Sequence, residues 1–120
     1  MITSFWVKTN LAARQLCYKQ NSTDAERAEI ITSRDWPLNK LNEHMNGKKF
    51  FNGDDLTIAD IFFYDTWLLL NLIHEDSCKK YQNLYTLQAT FEQQEWFQNF
   101  KNSDRWIERT FNGPMASINN

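Results

Sequence analysis

Glycine and proline are scarce in this chain of 120 residues, with 3 Gly and 2 Pro. Sandwiches and barrels need many tight turns, and those turns draw on these two residue types. Their scarcity argues for a few long helices instead. Cysteine is equally sparse. Cys17 and Cys78 form no CxxC pair and no metal-ligand spacing, so they read as reduced thiols in a cytoplasmic protein and not as a secreted disulfide framework. A basic surplus is also missing. Lys plus Arg total 13 and Asp plus Glu total 15, a net charge of −2, which leaves little with which to neutralise phosphates. No nucleic-acid partner is expected. Long apolar runs are absent too. The most apolar stretch, Ile61 to Ile73, is broken by Asp65, Thr66 and Asn71 and is too short to span a bilayer, so no membrane partner is expected. Met1 to Trp6 carries neither the basic nor the apolar region of a signal peptide. Asn21-Ser22-Thr23 matches a glycosylation acceptor but stands in this intracellular context.

Aromatics are abundant: 9 Phe, 5 Trp and 4 Tyr make up 15% of the chain, enough to fill one core and to exclude disorder. The length suits a single domain spanning 1–120.

The strongest local signal is Thr57-Ile58-Ala59-Asp60. A hydroxyl at the N-cap and a carboxylate three residues on make a capping box, and Leu56 with Ile61 occupy staple positions around it. Thr57 and Asp60 are therefore structural caps. The helix they open is apolar on nearly every face, which predicts a central, surrounded element containing Asp65. Upstream, Phe5 to Lys19 reads as a first helix, with Phe5, Trp6, Leu11 or Ala12, Ala13, Leu16 and Cys17 on its apolar side. Thr23-Asp24-Ala25-Glu26 is a second capping box. Its helix should run towards Asn46, end at Gly47 and kink at Pro37. Lys48 to Asp55 is a loop anchored by Phe50 and Phe51. Downstream, His74 to Gln82 reads as a polar connector and Leu84 to Gln93 as a helix. Trp96, Phe97 and Phe100 mark a short further one. Gly113-Pro114 interrupts a tail of weak periodicity. The sum is an all-α bundle of about five helices with an irregular C-terminal tail. His44 and His74 stand alone, so no metal site is expected.

The run Phe50-Phe51-Asn52-Gly53-Asp54-Asp55-Leu56-Thr57-Ile58-Ala59-Asp60, placed after a helix ending in Gly, resembles the C-terminal helical domain of cytosolic glutathione S-transferases. Leu16-Cys17-Tyr18, Phe63-Tyr64-Asp65, Asn83-Leu84, Thr90-Phe91-Glu92 and Met115-Ala116 are similar to the mu class. The resemblance covers nearly all of the 120 residues. It implies that a full enzyme would join the thiolate of glutathione, its co-substrate, to a hydrophobic electrophile. An N-terminal thioredoxin-like domain would bind glutathione and activate the thiol, and the sequence shows no βαβ pattern that could form one. This domain would bind no cofactor of its own and would be inactive alone. It would supply the electrophile pocket.

In that pocket the resemblance places Tyr18 as an auxiliary hydrogen-bond donor to the electrophile, an arrangement suited to stabilising developing negative charge. Asn10 and Leu11 match pocket-facing positions on the same helix. Phe111 and Asn112 match tail positions that close over it. Lys8 stands where family members carry an acid that helps hold glutathione across a homodimer, and Gln82 replaces a proline usual before Asn83-Leu84. The alternative is a non-catalytic helical interaction or dimerisation module, with Phe5-Trp6 and the second helix facing a partner chain. Such a partner could be a second copy or a separate thioredoxin-like domain.

Overall fold

A computed structural model describes residues 2–104, 112 and 115–119. Among these residues there are six helices: α1 (Ile2–Tyr18), α2 (Asp24–Thr32), α3 (Asp35–His44), α4 (Ile58–Cys78), α5 (Gln82–Glu92) and α6 (Glu95–Lys101). Among the described residues, β pairing is limited to two isolated bridges in the loop before α4. No described helix is long and apolar enough to cross a membrane. The class is all-α.

Both capping boxes form. At α2 the Glu26 N–H donates to Thr23 Oγ1 and the Thr23 N–H to the Glu26 carboxylate, each at 3.1 Å. At α4 the Thr57 N–H donates to Asp60 Oδ2 at 2.8 Å. Asp60 is fully buried, and its second oxygen accepts the Phe51 N–H at 3.1 Å. One carboxylate thus starts a helix and ties down the loop before it. Phe50 and Gly53 exchange backbone hydrogen bonds at 2.8 and 3.1 Å, which closes a tight turn with Gly53 at φ +76°. Gly47 takes φ +75° just past α3, as a residue ending a helix in the left-handed region does.

Three expectations need correcting. The segment from Thr23 to Asn46 is not one helix kinked at Pro37. It is two helices, α2 and α3, separated at Ser33 and Arg34. Pro37 falls in the first turn of α3, where its missing N–H has no intrahelical acceptor to lose. His74 to Gln82 is not a connector either. Helix α4 continues to Cys78 through a break at His74 (φ −156°, ψ 86°). There, His74 Nδ1 lies 2.7 Å from Ser77 Oγ, and Nε2 lies 3.2 Å from an Asp24 carboxylate oxygen on α2. Finally, Trp6 does not face a partner beside Phe5. It is fully buried.

Helix α4 is the centre of the fold, packed mainly against α1 and α2. Its Phe63 meets Trp6 at 5.2 Å and Phe51 at 5.7 Å edge-to-face, and stacks on Trp67 at 5.9 Å. Rings from α1, the loop and α4 therefore form one continuous aromatic core. Burying each of these large side chains contributes about 2–3 kcal/mol. The first two turns of α4 are less enclosed than their composition suggests, because Ile58, Ile61 and Phe62 are exposed.

Candidate functional site

Helix α1 presents two faces. Trp6, Thr9, Ala13, Leu16 and Cys17 face the core. Lys8, Leu11, Gln15 and Tyr18 are exposed, at the i, i+3, i+7, i+10 spacing of a single helical stripe. The C-terminal half of that stripe borders a groove of about 480 Å3, lined by Leu11, Arg14, Gln15, Tyr18 and Lys19. Leu11 is 61% exposed and Tyr18 46%, an apolar and a phenolic surface that solvent can reach. Lys19 pairs with Glu26 across the groove's end.

Arg14 anchors the groove from behind. Its Nε donates to Asn10 Oδ1 at 3.1 Å and its Nη1 to Asn112 Oδ1 at 2.9 Å, while Nη2 lies 3.5 Å from Asp65. Asn10 Nδ2 in turn donates to Asp65 at 2.9 Å and to Thr66 Oγ1 at 3.1 Å, and Thr66 Oγ1 donates to the Trp6 carbonyl at 3.2 Å. Asp65 does not sit inside the core. Its side chain is half exposed and holds α4 to α1 through this network.

The tail closes over the end of α1. The Ser117 and Ile118 N–H groups both donate to the Cys17 carbonyl, at 2.7 and 3.2 Å. Asn112 is buried and donates through Nδ2 to the Ile118 carbonyl at 3.0 Å. The Asn119 side-chain amide brackets the Asn112 backbone, its Oδ1 accepting the Asn112 N–H and its Nδ2 donating to the Asn112 carbonyl, each at 3.0 Å. Burial pushes the Cys17 thiol up, against the smaller pull of Asn112, Arg14 and Arg27. It stays protonated and is no nucleophile at neutral pH.

Of the residues singled out in the sequence, Leu11 and Tyr18 meet on one exposed groove. Asn10 and Asn112 meet through Arg14 in the network beneath it. Phe111 lies outside the described residues. Thr57 and Asp60 sit apart, at the start of α4. Sequence reasoning missed Arg14 and Gln15. A helical count from Asn10 and Leu11 finds both at i+4, which puts them on the same side. No group of three metal-ligating side chains gathers among the described residues.

The fold is a helical bundle organised around a capped central helix, with a groove along its first helix. Residues 9–104 match the family described as Glutathione S-transferase, C-terminal domain, and the chain belongs to that family. No curated protein matches it.

Proposed function

We propose that this chain is the helical half of a mu-like glutathione transferase of the cytoplasm, and that the α1 groove is the wall receiving a hydrophobic electrophile in detoxifying conjugation. The observation that carries this reading is the pairing of Leu11 and Tyr18 on one solvent-facing groove of a firmly anchored helix. Leu11 offers apolar surface to the electrophile's body. The Tyr18 phenol offers an O–H to the negative charge that grows on the electrophile as a thiolate adds to it. Asn10, Arg14 and Asn112 fix the wall's shape. The resemblance assigns Phe111 and Asn112 to the closure of the pocket, and Asn112 belongs to the tail segment that packs on the end of α1. Glutathione and its thiol activation come from a thioredoxin-like domain. On this reading these 120 residues alone turn over negligibly, because the group that ionises the glutathione thiol would belong to the thioredoxin-like domain.

The test is a titration of the chain with chlorodinitrobenzene, followed by amide shifts and by conjugate absorbance after glutathione is added. Shifts centred on Leu11 to Lys19, lost in Leu11→Arg and unaccompanied by conjugation, are expected. Shifts elsewhere would overturn the groove assignment, and robust conjugation would overturn the inactivity of the isolated half.

A non-catalytic dimerisation module is the second reading. What favours it is the exposed Ile58, Ile61 and Phe62 stripe on α4. Sedimentation velocity decides, because a monomer at every concentration would exclude it.

A further inference from the structure

A second concavity lies away from α1, between α4 and α5. It holds about 460 Å3 and is lined by Leu68, Asn71, Leu72, Glu75, Tyr85 and Gln88. That volume lies within the range of small-molecule sites, roughly 300–1,000 Å3. Leu68, Asn71 and Leu72 fall at i, i+3 and i+4 on one face of α4, Glu75 follows just past the break at His74, and Tyr85 and Gln88 fall at i and i+3 on α5.

The polar groups of this groove are already engaged inside its wall. The Tyr85 hydroxyl donates to Asn71 Oδ1 at 2.5 Å, and Asn71 Nδ2 donates to the Trp67 carbonyl at 2.9 Å. Gln88 Oε1 accepts the Trp67 indole N–H at 3.0 Å. The Trp67 ring supports Tyr85 edge-to-face at 5.0 Å. Burial, with smaller contributions from Cys78 and Glu75, pushes the Tyr85 phenol up to about 12, so it stays neutral. What remains for a ligand is an apolar and aromatic surface of fixed shape.

Glu75 is different. It is the charged residue of the lining, it is exposed, and among the described residues no cation lies within salt-bridge distance of it, although Lys79 feels its charge from further off. Lys79, one turn further on, is committed to Asp76 at 3.0 Å. An anion would be repelled here, and a neutral ligand would leave the carboxylate unused. We propose that the α4–α5 groove binds a small organic cation: an ammonium group on an aromatic or branched apolar body. The head lies against Glu75, where the Tyr85 ring adds its own attraction for a cation. The body lies on Leu68 and Leu72. This site is independent of the α1 groove.

Phenethylammonium, phenethyl alcohol and phenylpropanoate share a body and differ in charge. Each is titrated into the full chain while the Trp67 indole N–H and the Leu68 and Leu72 amides are followed by NMR. The expected result is saturable shifts at those three groups with the ammonium, weaker ones with the alcohol and none with the carboxylate. Glu75→Gln, an exposed change that spares the fold, should weaken the ammonium about fivefold and leave the alcohol unchanged. Raising the salt should weaken the ammonium alone. Equal binding of all three probes, an unchanged ammonium affinity in Glu75→Gln, or shifts confined to Leu11 to Lys19 would each overturn the proposal.

Discussion

Asp60 and Phe51 are joined inside the core, the Phe51 N–H donating to the Asp60 carboxylate at 3.1 Å across nine residues of chain. The same carboxylate accepts the Thr57 N–H. Asp60→Ala strands two backbone donors in a buried site, at a cost of about 3 kcal/mol. Asp60→Asn keeps the volume but turns an NH2 towards one of the donors, so it should cost nearly as much. Thr57→Ala should cost about 1 kcal/mol. Urea denaturation followed by circular dichroism gives the ranking. If both Asp60 variants lose less than Thr57→Ala, the carboxylate does not clamp the loop.

Two buried tryptophans differ in what their N–H groups do. The Trp67 N–H donates to Gln88, whereas Trp6 Nε1 is buried with no hydrogen-bond partner among the described residues. Replacement by Phe removes similar apolar surface at each site. At Trp67 it also removes the hydrogen bond to Gln88, while at Trp6 it relieves an unpaired donor. Trp67→Phe should therefore be the costlier change by about 1–2 kcal/mol, read from the same denaturation midpoints. Equal losses would show that the Trp6 N–H is satisfied in solution.

How much of this was readable in advance follows from the range of each interaction. The capping boxes at Thr23 and Thr57 and the turn at Gly47 depend on residues a few positions apart, and each formed as the sequence predicted. The break at Arg34 carries no such signal, because that N-cap makes no side-chain hydrogen bond. The apolar period runs through it, so Pro37 looked like a kink when it is a first-turn residue. The helical period puts Leu11 or Ala12 on the apolar face of α1, yet Leu11 is exposed while Thr9 is buried. Helix α1 carries more apolar residues than its buried arc can hold, and only the packing of α4 chooses among them. The tail contact is the least legible, since Ser117 and Cys17 are 100 positions apart.

Alkaline pH should weaken the fold through Cys78. Burial, helped by Glu75, pushes its thiol from 9.0 up to about 12. Below pH 9 the thiol is protonated in both the folded and the unfolded chain, and stability is unaffected. Between about pH 9 and 12 the unfolded chain ionises first, so stability falls as pH rises through that window. Tyr85, raised from 10.0 to about 12, adds to the same decline. Denaturation midpoints at successive pH values should drop above pH 9, and Cys78→Ala should flatten the drop. A slope unchanged in Cys78→Ala would assign it to other groups.

The candidate site divides into a surface that can meet a ligand and a network that holds that surface in place, and two variants separate them. Asn112 is buried and links Arg14 to the Ile118 carbonyl. Asn112→Ala leaves that carbonyl without its donor and should cost about 2 kcal/mol, loosening the tail from α1. Leu11 lies on the solvent side of the same helix. Leu11→Ala should change stability by less than about 0.5 kcal/mol. It should nonetheless weaken binding of an apolar aryl ligand about fivefold, because the lost methyl groups are ones only a ligand would cover. Calorimetric unfolding and ligand titration on both variants resolve the two roles. If Leu11→Ala unfolds the chain or leaves aryl affinity intact, the exposed face of α1 is not a binding wall.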